Sequence, residues 1–306
     1  MLQAPFSLNE IKLAIWLCDS TKGPGSDNAN FNCYKKAWLL IKDDLLHLFN
    51  EFHATITLPS SIHSSFIAHI LKLSRASRVQ DYHLISLIHG VYKIVAKVLA
   101  LGLKLVLPKI ISHHQSAFAS GRQILNYFLI ASKILEYQKK KKRGWFLFKI
   151  DFEKAFDSVL WRHLDYTMVG MGFGAKWRSW ILHCVTNAKV SILLVGRPME
   201  EFQLGNGIRQ GDPLSPFIFI MAVEPLCLLI QTVCTSGKLE GVSIRDGNVV
   251  ITHQKFADYA LFFTPPNLDY VIEISRILSC FEVMSGISVN FHKSLLYGIN
   301  VNDSYI

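Results

Sequence analysis

Residues 148–158 read Phe148-Lys-Ile-Asp151-Phe-Glu-Lys-Ala-Phe156-Asp157-Ser158 and continue a run that opens at Trp145-Phe-Leu. From Trp145 to Ile150 the chain is apolar enough for a buried strand, and that strand ends on a carboxylate. Acidic side chains are rarely buried unless they are paired or bound to a metal ion, so Asp151 is a candidate for chemistry. A second aspartate of the same kind, Asp258, lies between Phe256-Ala257 and Ala260-Leu-Phe-Phe263, where two apolar runs from Val249 to Phe263 predict a hairpin. Carboxylates on neighbouring strands can hold Mg2+, a hard ion that takes oxygen ligands at about 2.0–2.1 Å. A pair of such ions can activate a hydroxyl nucleophile and stabilise a leaving pyrophosphate. Each aspartate taken alone reads more readily as a strand-end or turn residue than as a metal ligand.

The surrounding chain suits such a core. It has 306 residues, half of them hydrophobic, which fits two modest lobes or one large one and argues against global disorder. Mean hydropathy is +0.27, high enough to raise a membrane question. The most apolar stretch, Pro213–Ile230, is interrupted by Pro216, Glu224 and Pro225, so no clean span of roughly 20 apolar residues is expected and no membrane partner. Met1–Phe6 lacks the charged and apolar regions of a signal peptide. A net charge of +9 favours a polyanionic partner, nucleic acid first. Cys18, Cys33, Cys184, Cys227, Cys234 and Cys280 form no CxxC pair, so neither a zinc site nor a disulfide framework is expected.

Working outward, the first 60 residues read as helical. Ser7 is an N-cap candidate with Glu10 three residues on, ahead of Leu8, Ile11, Ala14 and Ile15. Gly23-Pro24-Gly25-Ser26-Asp27-Asn28 is a turn, and Trp38, Ile41, Leu45, Leu48 and Phe49 mark one face of a second helix. Residues 62–73 predict a strand. Residues 94–107 predict an amphipathic helix with Lys93, Lys97 and Lys104 outside, stopped near Pro108. Another helix is expected over 123–139, followed by the basic run Lys139–Arg143, which is either a solvated turn or a nucleic-acid or nuclear-import patch. Asp157-Ser158 is expected to cap a helix carrying Leu160, Leu164 and Met168. Residues 190–195 and 200–204 flank Gly196-Arg197-Pro198 as a hairpin, Pro213–Ile230 predicts one buried helix, and 270–284 a last helix.

Four segments together carry a resemblance. Phe148–Ser158 is similar to motif A of reverse transcriptases, and Gly207-Ile-Arg209-Gln210-Gly211-Asp-Pro213-Leu-Ser215-Pro216 to motif B. Phe256-Ala-Asp258-Tyr259 stands where motif C belongs, and Ser285-Gly286-Ile-Ser-Val-Asn290-Phe-His-Lys293-Ser resembles motif D. Upstream, Gly23–Asp27, Asp81-Tyr-His-Leu-Ile-Ser86-Leu, Tyr92-Lys93-Ile and Gln115-Ser-Ala-Phe118-Ala-Ser-Gly121-Arg122-Gln123 extend the match over nearly the whole chain. The nearest family is the non-LTR (LINE-type) retrotransposon reverse transcriptases of the kind abundant in plants. The resemblance implies an α/β (α+β) right-hand polymerase with helical fingers and a ferredoxin-like antiparallel palm. The expected boundaries are 1–60 for a helical extension, 61–145 for fingers and 146–306 for palm, with no thumb, endonuclease or RNase H region read in the chain. It further implies RNA-directed DNA polymerisation with Mg2+, an RNA template, a DNA primer and dNTPs, and a nuclear or cytoplasmic location.

Residue by residue, the resemblance makes Asp151 and Asp258 metal ligands, with the Phe152 carbonyl assisting. Phe156 becomes the steric gate against a ribose 2′-hydroxyl, or else an ordinary core aromatic. Gln210 and Gly211 would line the nucleotide pocket, where a missing side chain lets substrate approach the backbone. Lys293 would serve the departing pyrophosphate as acid or charge partner, its alternative being a solvated lysine. Arg122, Arg209 and Lys93 would meet nucleic acid, and a surface salt bridge explains Arg122 equally well. Gly205-Asn-Gly207 has GxGxxxG rather than GxGxxG spacing, which argues against a dinucleotide loop.

The chain departs from the family pattern at three positions. Motif C ends in two aspartates in the family, but here its last residue is Tyr259. A phenol with an ordinary pKa near 10 is neutral at pH 7 and supplies no anionic oxygen. The family's Arg-Pro-Ile-Ser is His83-Leu84-Ile85-Ser86, which leaves at most a partial charge for a triphosphate, and its Ile-Pro-Lys is Ile70-Leu71-Lys72. These losses predict an impaired polymerase. The alternatives are a non-catalytic nucleic-acid-binding protein and a pseudogene-derived remnant.

Overall fold

The computed structural model describes residues 2–72, 82–118, 121–194, 196–244 and 249–301. Asp81, Ala119, Ser120 and Val195, which fall within expected motifs or strands, lie outside them. In chain order the elements begin with α1 (Leu8–Trp16), α2 (Phe31–Lys36), α3 (Trp38–Thr55), a 3-10 turn at Ser60–His63, β1 (Ser64–Leu71), β2 (Tyr82–Ile88) and α4 (Gly90–Ile110). Next come α5 (Ile124–Lys141), β3 (Trp145–Glu153), α6 (Ala155–Ser158), α7 (Trp161–Gly170), α8 (Ala175–Thr186), β4 (Lys189–Leu194), β5 (Arg197–Pro198) and β6 (Phe202–Gln203). The last third holds α9 (Ser215–Ala222), α10 (Glu224–Thr235), β7 (Val242–Ile244), β8 (Val249–Ile251), β9 (His253–Phe256), β10 (Tyr259–Thr264), α11 (Leu268–Ser285), β11 (Ser288–Val289) and β12 (Leu295–Ile299).

The chain divides into two compact units, one of residues 1–106 and 168–218, the other of 107–167 and 219–306. In the first unit, β1 pairs antiparallel with β2 and parallel with β4, and β5 and β6 both return on β4. The capping box expected at Ser7 forms: its hydroxyl accepts from Glu10 N while Glu10 Oε2 accepts from Ser7 N at 2.8 Å. An aromatic core gathers Phe6, Phe49, Phe52 and Trp180, with Phe6 5.0 Å from Trp180 and 5.2 Å from Phe49 between ring centroids. Asp27 of the Gly-Pro-Gly-Ser-Asp turn accepts from the Tyr34 hydroxyl at 2.6 Å and from Gly90 N at 3.0 Å, so it holds the first residue of α4.

The second unit is built on an antiparallel sheet in the order β11-β3-β10-β9, with β12 also on β3. Ile150, Phe152, Ala260, Phe262 and Phe263 are buried along its two central strands. Trp145 and Phe263 pack with Ile134 of α5 and Val242 of β7. Phe152 meets Phe281 of α11 at 6.2 Å.

Five expectations are corrected. The helix expected over 94–107 begins at Gly90 and runs through Pro108 to Ile110; a proline so near a helix end removes only one late hydrogen bond. Lys93 and Lys97 on it are half-buried rather than outside, while Lys104 is exposed. Asp157 and Ser158 lie inside the one-turn helix α6 and do not cap α7. The single helix expected over Pro213–Ile230 breaks at Val223 into α9 and α10, because Pro225 in the first turn of α10 cannot continue a helix from Met221. Ser215–Thr235 is nonetheless long and apolar enough, by length and composition, to cross a membrane, with a mean hydropathy of 2.1, contrary to the expected interruption. Within this fold 56% of that window is buried, as in a core helix.

Candidate active site

β3 carries Asp151 into the second unit's core, where it is 8% exposed. β10 runs antiparallel beside it, and the residue in register with Asp151 is Tyr259, not Asp258. Asp258 occupies the two-residue turn between β9 and β10, next to Ala257, whose φ is +49°. Two-residue hairpin loops favour turns whose first central residue has positive φ, because that twist matches the flanking strands. The expected placement of both aspartates on adjacent strands is therefore corrected by one residue: the turn holds one of them.

The electrostatics link these groups. Burial pushes the Asp258 carboxyl above the ordinary carboxylate range, and the negative charge of Asp151 pushes it further, while Lys293 pulls it back. Burial likewise raises the Tyr259 phenol, followed by the charges of Asp258 and Asp151, so it stays neutral near pH 7. Tyr259 is 37% exposed, and Lys149 Nζ stands 5.4 Å from its ring centroid. Opposed residues of an antiparallel pair share a sheet face. A carboxylate at position 259 would thus stand directly across from Asp151.

On the other side of β3, β11 and β12 flank Asp151: Val289 pairs with Phe152 and Leu295 with Lys149. The intervening turn clips the Asp151 backbone at both polar groups. Asn290 N donates to Asp151 O at 2.8 Å, and Asp151 N donates to Ser294 Oγ at 3.1 Å. Asn290 Oδ1 accepts from Lys293 N at 3.2 Å, which holds Lys293 within the field of Asp258. Phe156, just past β3, is half-buried and stacked on Phe219 at 4.7 Å and 14°. Asp151, Phe152, Phe156, Asp258, Tyr259 and Lys293 all lie in the second unit.

The remaining expected residues lie elsewhere or are turned inward. In the first unit, Ser86 N donates to Gln210 O at 3.0 Å. Gly211 has φ +95°, and a Cβ there would stand 3.3 Å from Ser86 O, which explains glycine after Gln210. His83 is exposed on β2, opposite Ile70. Lys93 is half-buried, and burial lowers its pKa, with Asp27 acting against the shift. Arg209, expected on nucleic acid, is instead 5% exposed. Its guanidinium donates to His63 O at 3.1 Å, pairs with Asp212 at 3.4 Å and lies 4.1 Å from the Tyr92 ring centroid. Arg122, in the second unit, forms no salt bridge among the described residues, unlike the alternative considered for it. Its fork donates to the carbonyls of Ile111, Ser112 and Gln115, closing the chain after α4. Sequence reasoning missed Asp212 and Gln115; both stood inside quoted motifs, but nothing in their spacing told which polar groups the core would enclose.

A family model described as reverse transcriptase (RNA-dependent DNA polymerase) matches residues 70–299. The chain belongs to the reverse transcriptase family. It is 26% identical over 96% of its length to a Xenopus laevis protein described as the transposon TX1 uncharacterized 149 kDa protein. It is 24% identical over 79% of its length to the retrovirus-related Pol polyprotein of the type-2 retrotransposable element R2DM of Drosophila melanogaster. The chain spans 22% of the length of each. The resemblance to non-LTR retrotransposon reverse transcriptases drawn from the motifs is borne out by these relatives. Among solved structures, apo telomerase from Candida tropicalis, truncated from its C-terminal domain, is similar with a TM-score of 0.56 at 12% identity. That likeness covers 81% of this reverse transcriptase and 52% of the telomerase chain, and it supports the right-hand α/β fold.

Reverse transcriptases use divalent metal ions. Among the described residues no group of three or more His, Cys, Asp or Glu side chains is gathered for a metal. The donor set at Asp151 and Asp258 nevertheless fits a hard cation: two carboxylates whose mutual repulsion already raises one of them. Mg2+ characteristically uses one or two carboxylates and keeps several waters.

Proposed function

We propose that this chain is the polymerase part of a LINE-type retrotransposon reverse transcriptase, impaired by Tyr259. The observation that carries the reading is the register of Tyr259 with Asp151 beside the Asp258 turn, inside a family match that includes motifs A to D. Asp151 and Asp258 would hold Mg2+, with the Phe152 carbonyl as an assisting ligand. When bound, divalent ions activate the primer 3′-hydroxyl and offset charge on the departing pyrophosphate. Phe156 excludes the ribose 2′-hydroxyl and Lys293 gives a proton or a charge to the leaving group, while the family's motifs assign nucleotide contacts to Gln210, Gly211 and His83. Residues 61–145 serve as fingers and 146–306 as palm on an RNA template and DNA primer, with the nucleus as place of action.

The lesion follows from charge. A neutral phenol in place of a carboxylate removes one negative charge facing the metal ions, where preorganised electrostatics carry much of the rate. Primer extension on RNA with Mg2+ and dNTPs should therefore rise by about two orders of magnitude in Tyr259→Asp, the scale of one lost charge-stabilising group. Equal, robust extension by the unmodified chain would overturn the impairment. A second reading, a non-catalytic nucleic-acid binder, is favoured by the exposure of Lys139–Arg143 at the end of α5. It would replace the first if both proteins fail to extend yet bind RNA–DNA hybrid with affinity falling steeply in salt.

A further inference from the structure

The segment after α4 is laid against β9 as an isolated parallel bridge between Gln115 and Lys255. Ser116 N donates to Lys255 O at 2.9 Å, and Lys255 N donates to His114 O at 2.7 Å. This places the Gln115 side chain, 0% exposed, beneath the β9–β10 turn. Its Oε1 accepts from Ala117 N at 3.0 Å and from Ala257 N at 3.3 Å. Two backbone donors on one atom settle which end of the amide is oxygen. Ala257 is the left-handed residue immediately before Asp258, a conformation that is strained for a non-glycine residue and persists only when its surroundings hold it. The segment bearing Gln115 is itself gripped by Arg122, whose guanidinium donates to Gln115 O at 2.6 Å and to the carbonyls of Ile111 and Ser112.

We propose that Gln115 is a positioning residue for Asp258: it holds the Ala257 amide and so fixes the strained turn that aims the carboxylate, with Arg122 bracing the strand from which it reaches. The proposal rests on the polymerase reading for what Asp258 does, but not for how Asp258 is held. Gln115 would act through the turn without touching substrate. Its Nε2 has no hydrogen-bond partner among the described residues, so exchanging that nitrogen for oxygen removes no bond.

The test compares Gln115→Met and Gln115→Glu in the full chain, with site-resolved hydrogen exchange and Mn2+ affinity as readouts. Gln115→Met keeps length and bulk but loses the acceptor. It is expected to speed exchange at Ala257 by at least tenfold, leave amides of the β3–β10 ladder at wild-type rates, and weaken Mn2+ about tenfold, as loss of an outer-shell partner does. Gln115→Glu, kept protonated by the cost of burying an unpaired carboxylate, retains the carbonyl acceptor and should keep Ala257 protected and Mn2+ bound. Wild-type exchange at Ala257 in Gln115→Met would overturn the proposal. So would a uniform rise across the ladder, which would make Gln115 a packing residue only. If the unmodified chain binds no Mn2+, the metal site assigned to Asp151 and Asp258 falls, while Ala257 exchange still decides the role of Gln115.

Discussion

At the scale of single residues, the site turns on one substitution and one gate. Tyr259 was legible as a loss because an aspartate is expected there by the family, and its charge state follows from elementary acid–base chemistry. What the sequence left open at Phe156 was whether the ring is a gate or a core aromatic. The structure shows one face stacked on Phe219 with the side chain half-buried, which is compatible with a ring braced from behind. If Phe156 gates the sugar, Phe156→Ala in the Tyr259→Asp background should cut discrimination between dNTP and rNTP by about 10–100-fold, the range available to a steric pocket. Unchanged discrimination in single-nucleotide incorporation would return Phe156 to the core. Arg209 teaches the opposite lesson. A guanidinium in a motif near the active site looked like a nucleic-acid contact, yet it is enclosed by Tyr92, Asp212 and the His63 carbonyl.

Among the elements, helices with strong local signals were readable: the Ser7 capping box and the apolar face of α3 appear as expected. Elements whose limits depend on distant partners were not. α10 begins after a break whose Val223 carbonyl is satisfied by Lys255 Nζ at 2.7 Å, from a strand some thirty residues on. That buried lysine also faces Glu224 at 3.8 Å. The end of α11 shows how one glycine joins elements. Gly286 takes φ +78°, and a Cβ there would fall 2.5 Å from Ser158 O, beside the Leu160 N to Ser285 O hydrogen bond of 2.9 Å. Gly286→Ala should destabilise the second unit by about 2 kcal/mol or more, combining a left-handed alanine with overpacking. The midpoint of urea unfolding would show it, and an unchanged midpoint would mean that α6 and α11 are not held at this contact.

Over the whole molecule, the histidines set the acid limit. His63, His183, His114, His163 and His253 all have their pKa lowered, burial being the largest cause for each. His63 falls to about 3 and meets His183 Nε2 at 3.1 Å, an atom that also accepts from Leu58 N. A proton on His183 Nε2 would break this arrangement, and one on His63 would put a charge on its buried Nδ1, which has no hydrogen-bond partner among the described residues. Above the ordinary value near 6.5, folded and unfolded chains both hold His63 neutral, so it adds no pH dependence there. Below it the unfolded chain binds the proton and the folded chain does not, so stability falls as pH drops from about 6.5 to about 3. The slope is up to about 1.4 kcal/mol per pH unit for each such histidine. Thermal melting should therefore be markedly lower at pH 5.5 than at pH 7.5, and His63→Gln should reduce that dependence. A flat profile would mean these rings take up protons in the folded state.

The sequence by itself determined the family, the order of the four motifs, the strand that delivers Asp151, the turn-prone Ala257-Asp258 and the missing charge at Tyr259. These are local facts: a side chain's chemistry, a run's apolarity, a spacing. The tertiary structure alone decided that Tyr259, not Asp258, stands across from Asp151, that Arg122 and Arg209 turn inward, and that Gln115 reaches the Ala257 amide. The physical reason is that strand register and the burial of polar groups depend on partners far away in sequence. A buried donor or acceptor must find one wherever the fold supplies it.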